Sequence, residues 1–150
     1  MQKEQTIDHV LRATWQAVAK MYNEQASKFD STMSMAFVLL NIDKVNGTPS
    51  TSLGPLMGME PTSLSRILKN MEEKGAIYRE KNPEDGRGVL IKLTSYGLEK
   101  RKISKEYVIR FNETVKSQLD PEKIQNFFEV TKTINKLIAE KAIFENVHTK

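Results

Sequence analysis

Between Pro61 and Lys74 apolar residues Leu64, Ile67, Leu68 and Met71 recur at i, i+3, i+4 and i+7, with Thr62, Ser63, Ser65, Arg66, Lys69 and Asn70 falling among them. On a helix this spacing gathers the apolar set on one face and leaves the hydroxyl, amide and cationic side chains on the other. Such a polar set suits a major groove. Small residues at the N-terminal end allow close approach of the backbone, and Ser and Thr can bond phosphates or base edges. Arg66 can fork onto O6 and N7 of a guanine, a contact that contributes roughly 1–3 kcal/mol of discrimination. A solvated helix face has the same composition, so the flanking sequence decides between the two readings.

That flank is basic. Ile77 to Lys81 and Val89 to Leu93 read as strands separated by Asn82-Pro83-Glu84-Asp85-Gly86-Arg87-Gly88, a run of turn formers. The result is a hairpin whose tip carries Arg87 between two glycines, Gly86 and Gly88, which keep it narrow. Asp85 stands two positions before Arg87, close enough to restrain its guanidinium, and Arg87 is then placed to enter a minor groove, whose negative potential attracts arginine. Residues 61–105 hold eleven Lys/Arg against six Asp/Glu, whereas the rest of the chain holds twelve against thirteen. The excess charge therefore coincides with the helix and the hairpin, as expected of a phosphate-facing surface.

The elements that must position these residues are mainly helical. Ile7, Val10, Leu11, Trp15, Val18, Met21 and Tyr22 mark one amphipathic helix from Thr6 to about Lys28. Asp30, Ser31 and Thr32 are N-cap candidates for a second, covering roughly Met33 to Lys44 and ended by Asn46, Gly47 and Pro49. A short third helix starts with Thr51 or Ser52 as cap, holds Pro55 in its first turn and closes at Gly58. Pro61 then opens the polar-faced helix, which ends at Gly75. After the hairpin, Thr94 caps a long helix from Ser95 to about Leu119, and Asp120-Pro121 starts the last one, with Ile124, Phe127, Phe128, Ile134, Leu137 and Ile138 as its apolar stripe. Asn146 to Lys150 are expected to fray.

Composition narrows the chemistry further. The 150-residue chain fits one domain, and its 39% hydrophobic and 28% charged residues suit a folded protein. No apolar run reaches the roughly 18 residues of a membrane span and the N-terminus lacks a signal-peptide core, so a cytoplasmic location is expected. There are no cysteines, which removes disulfides, thiolate metal sites and thiol switches, and the two histidines, His9 and His148, lie near opposite ends. Neither metal nor cofactor is expected. An enzyme is disfavoured as well, because there is no recognisable nucleophile constellation and Gly86-x-Gly88 has no nucleotide-binding context.

The segment Asp85-Gly86-Arg87-Gly88-Val89-Leu90-Ile91-Lys92-Leu93-Thr94-Ser95-Tyr96-Gly97 resembles the wing signature of MarR-type regulators, D-x-R leading into an apolar strand and L-T-x-x-G. Pro61 to Arg66 and Leu68-Lys69-Asn70-Met71-Glu72-Glu73-Lys74-Gly75-Ala76-Ile77 resemble that family's recognition helix and its exit. Matching motifs cover about residues 48–98. The resemblance implies a homodimer with interlocked terminal helices reading a pseudo-palindromic DNA site, commonly as a ligand-responsive repressor. It places Ser63, Ser65 and Arg66 toward the groove and makes Arg87 the wing-tip arginine held by Asp85. Two departures stand out: Glu60 replaces the usual Ser or Asp cap, and Gly54-Pro55 replaces a helix-forming pair.

The expected fold is mainly α (α+β), a winged helix-turn-helix with a two-stranded wing and long N- and C-terminal dimerisation helices. Within a single subunit, 33–94 form the DNA-binding lobe and 1–30 with 95–146 the dimerisation region. Independently of the family, Trp15, Met21, Tyr22, Tyr107, Phe111, Phe127, Phe128 and Phe144 exceed what thin lobes can bury, so self-association is their natural outlet. A cleft beside the dimer base, with Trp15, Met21, Tyr22 and Met35 as candidate walls, could hold a small apolar or aromatic effector, although core packing accounts for the same residues. The competing reading is a winged-helix module that binds a protein partner rather than DNA.

Overall fold

The computed structural model describes residues 5–145; His148 and the Asn146–Lys150 tail lie outside them. The order of elements is α1 (Ile7–Ser27), α2 (Met33–Asn41), β1 (Thr48–Pro49), α3 (Ser50–Met57), α4 (Pro61–Glu73), β2 (Ile77–Lys81), β3 (Val89–Leu93), α5 (Ser95–Ser117) and α6 (Pro121–Ala139). The chain divides into two compact units, one ending at Glu106 and the other beginning at Tyr107. Among the described residues no helix is long and apolar enough to cross a membrane.

The core lies in the first unit. Met35, Val38, Leu39 and Ile42 from α2 and its end meet Leu53 of α3, the stripe Leu64, Leu68 and Met71 of α4, Ala76 of the α4 exit, and Ile77 and Ile91 from the sheet. Helices α2 and α4 contribute residues three or four apart, so each apolar stripe seals one side of the same cluster. Thr32 caps α2: its hydroxyl accepts from the Met35 amide at 3.2 Å. Asp120 occupies the cap position of α6 but makes no side-chain capping bond.

Three differences from the expected boundaries have physical causes. The sheet has three strands in the order β1-β3-β2, not two, because Thr48 and Pro49 pair antiparallel with Ile91 and Leu90. Pro49 is tolerated there because β1 is an edge strand and needs no donor on its outer side. Helix α3 consequently begins at Ser50, directly after the strand, and Pro55 falls inside the helix rather than in its first turn. The Thr51 carbonyl thereby lacks its i+4 donor, but Thr51 is exposed and water can serve it. Finally, α2 stops at Asn41 rather than Lys44. The Asp43 carboxylate there accepts from the Val45 and Asn46 amides, each at 2.9 Å, and the Thr48 hydroxyl accepts from the Asp43 amide at 2.9 Å. Local side-chain bonds to the backbone thus outcompete another helical turn.

The link from α4 through the sheet into α5 is tight. The Thr94 hydroxyl donates to the Gly75 carbonyl and accepts from the Gly97 amide at 3.0 Å, while the Thr94 amide donates to the Ala76 carbonyl at 3.1 Å. Gly97 is buried against that same Ala76 carbonyl, and a Cβ there would lie within its van der Waals envelope. The close approach explains the L-T-x-x-G spacing: Thr94 ties the start of α5 to the exit of α4, and only glycine fits one turn later.

Candidate nucleic-acid interface

Helix α4 buries Leu64, Leu68 and Met71 and leaves Thr62, Ser63, Ser65, Arg66, Lys69 and Asn70 exposed. All six polar candidates on this helix therefore lie outside the core. Pro61 occupies the first helical position, and the helix ends with the Ala76 amide donating back to the Met71 carbonyl at 2.9 Å. Glu60 holds the N-cap position without a side-chain capping bond and is exposed.

The wing is built from two successive turns, each opened by an acidic or amide side chain. The Asp85 amide donates to the Asn82 carbonyl at 3.3 Å and the Gly88 amide to the Asp85 carbonyl at 2.9 Å. Asn82 Oδ1 accepts from the Glu84 amide at 3.0 Å, and Asp85 Oδ1 accepts from the Arg87 amide at 3.1 Å. This corrects the expected role of Asp85. Its carboxylate holds the Arg87 backbone rather than the guanidinium, and no ion pair joins the two side chains among the described residues. The short Asp side chain reaches the amide two residues on, which is the geometry of an Asx turn. Arg87 is exposed, its guanidinium available to a partner. Gly86 has neither a positive φ nor a close neighbour, so its narrowness is not required by the fold.

Behind the tip, Lys92 Nζ meets Glu80 Oε2 at 2.9 Å across β2 and β3. The hydrogen bond that Lys92 donates to the Glu80 carboxylate raises the Lys92 pKa. At the other end of α4, Lys74 Nζ donates to the Asp30 carbonyl at 2.7 Å and lies 3.4 Å from its carboxylate, joining the helix end to the α1–α2 junction. Lys100 of α5 sits 5.3 Å from the ring centroids of both Phe29 and Tyr96, beside that junction. The Lys74–Asp30 and Lys100–Phe29 contacts have no signal in the sequence, since both join residues far apart in the chain.

The candidate effector walls stand on two helices, Trp15, Met21 and Tyr22 on α1 and Met35 on α2. Met35 is buried and lines a small cavity with Phe29, Leu39, Met71, Tyr96 and Lys100, whose lining does not include Trp15, Met21 or Tyr22. Trp15 is 54% exposed on α1, and Tyr22 packs edge-on against Phe37 at 5.9 Å, where burial raises its pKa.

The MarR family model matches residues 32–89, which run from the start of α2 through α4 and the wing tip to the first residue of β3. The transcriptional regulator SarZ of Staphylococcus saprophyticus is 30% identical over 115 residues, covering 73% of this chain and 79% of SarZ. The chain belongs to the MarR family. It is a DNA-binding transcriptional regulator, and the curated relatives are regulators rather than enzymes. Its fold matches that of S. aureus MepR in a DNA complex, with a TM-score of 0.80 at 21% identity over 88% of this chain and 98% of MepR. It also matches PcaV of Streptomyces coelicolor, solved with its natural ligand, with a TM-score of 0.77 at 20% identity over 91% of this chain and 96% of PcaV.

Proposed function

We propose that this MarR-family chain is a ligand-responsive repressor that acts in the cytoplasm, without catalysis, as a homodimer on a pseudo-palindromic operator. The observation that carries the proposal is the single exposed polar face of α4 set beside a wing with an exposed Arg87. In this reading Ser63, Ser65 and Arg66 read base edges, and Thr62, Lys69 and Asn70 hold the adjacent backbone. Arg87 enters the minor groove from a tip whose backbone Asp85 fixes. Dimerisation is supported by apolar side chains left open on α1, where Ile7, Val10, Leu11 and Trp15 are exposed, and on α6, where Phe127, Phe128, Leu137 and Ile138 are. An effector is supported by the ligand complex of PcaV. Trp15, Met21, Tyr22 and Met35 remain the candidate contacts for such a molecule.

Genomic-fragment selection at moderate salt tests the reading. Enrichment of a sequence with twofold symmetry is expected, with Arg87→Ala lowering affinity for all duplexes and Arg66→Ala also relaxing base preference. Recovery of no preferred sequence over random DNA would point instead to a protein-binding winged helix.

A further inference from the structure

Arg79 was not among the residues singled out in the sequence, yet its position in the sheet is unusual for an arginine. Strand register places Arg79 opposite Ile91, and Ile77 opposite Leu93. Directly opposed residues share a face, as do residues two apart, so Arg79 projects on the same side of the sheet as the fully buried Ile91 and Ile77. It lies where that core face runs out beneath α3 and α4.

There its side chain borders an open groove of about 690 Å³. Ser50, Thr51 and Gly54 of α3 line one wall, and Leu64, Ser65 and Leu68 of α4 the other. Gly54 is buried at its floor, where a Cβ would come within 3.2 Å of the Met59 carbonyl, so the glycine lets α3 pack closely on the segment that leads into α4. The guanidinium is tied only loosely: its Nε lies 3.5 Å from Glu72 Oε2, and it makes no hydrogen bond among the described residues. Three hydroxyls, Ser50, Thr51 and Ser65, share the groove with it, and Glu60 is the one carboxylate in its lining. A guanidinium with neighbouring hydroxyls is oxyanion-recognition chemistry.

We infer that Arg79, with Ser50 and Thr51, forms a further DNA contact that takes a backbone phosphate of the operator into the α3–α4 groove, Glu72 holding the guanidinium until DNA arrives. The choice of a DNA phosphate follows from continuity. Ser65 belongs both to the groove and to the exposed face of α4, and the segment 61–105 that holds Arg79 carries the net positive charge of the chain. This inference rests on the DNA-binding reading, but it assigns a contact that neither the recognition face nor the wing tip contains. It is also sequence-independent, because a phosphate carries no base information.

The test compares the full-length protein with its Arg79→Gln variant on two duplexes, the fragment recovered by genomic selection and a random sequence, titrated across salt concentrations. Arg79→Gln is expected to weaken both by the same factor, about tenfold at low salt, and to reduce the slope of log affinity against log salt by about 0.9 per subunit. Glu72→Gln is expected to tighten binding several-fold, and that gain should vanish when Arg79→Gln is present. Unchanged affinity and slope, a loss confined to the selected duplex, or an equal Glu72→Gln gain in both backgrounds would overturn the inference. A wild-type chain that prefers no sequence but loses random-duplex affinity on Arg79→Gln would instead sink the operator reading and leave the phosphate contact standing.

Discussion

Replacing Gly97 by alanine sets helix propensity against packing. At an ordinary helical position the change favours folding by about 1 kcal/mol. Here the added Cβ would overlap the Ala76 carbonyl oxygen and approach the Ala76 carbonyl carbon to 3.0 Å. Because the obstacle is backbone, neither side can yield by a rotamer change. Overpacking of this kind costs about 1–3 kcal/mol. Separating α5 from the α4 exit also strains the Thr94 bonds to Gly75 and Ala76, at about 1 kcal/mol each. The sum leaves a net loss of about 3 kcal/mol, which urea denaturation should read as a midpoint lowered by roughly 1 M or more at unchanged slope. Gly86→Ala is the matched control, since that site has no positive φ and nothing within 4 Å, and its unfolding free energy should stay within about 0.5 kcal/mol of the parent. A Gly97→Ala midpoint equal to that of Gly86→Ala would refute the close-contact account of the L-T-x-x-G motif.

Asp85→Asn should bind the selected operator like the parent, because a carboxamide oxygen can accept the Arg87 amide equally well, whereas Asp85→Ala should bind several-fold more weakly; equal losses in both would restore an ion-pair role for Asp85. Thr32→Ala removes the α2 cap and should lower unfolding free energy by about 1 kcal/mol, measured by denaturant titration, with Thr32→Ser recovering most of it. The amides of Asn46 and Val45 hold the Asp43 carboxyl below its ordinary value of 3.8. Its contribution to stability is therefore present above that value and lost as pH falls through the lower folded one. Asp43→Asn should accordingly show a shallower loss of stability below pH 3.8 than the parent in acid titrations followed by circular dichroism.

Where the sequence pattern was strong, it located the elements well. The stripe from Leu64 to Met71 and the turn residues from Asn82 to Gly88 marked α4 and the wing because each repeats one rule over several residues. Strand β1 was missed for the opposite reason: Thr48-Pro49 is too short for a period, and its existence depends on β3 lying alongside. Arg79 escapes notice because Tyr78, Arg79, Glu80 and Lys81 are all polar or amphipathic and exposed, which erases the alternation that would place it on the face of Ile77 and Ile91. Asp85 was assigned to the correct turn but to the wrong partner, since sequence separation alone does not distinguish an amide from the guanidinium of the same residue. The tie from Lys74 to Asp30 spans 44 positions and leaves no local trace.

The pairing of Thr48 with Ile91 has a consequence for how this protein opens. Helices α3 and α4 both lie in the loop of about forty residues that this short pairing closes, a closure that costs roughly 3 kcal/mol of chain entropy. Two residues of edge strand cannot repay that alone, so β1 should zip only after the helices inside the loop have packed. Local opening should then expose the amides of β1, α3 and α4 to hydrogen exchange together, making the duplex-reading elements one cooperative unit.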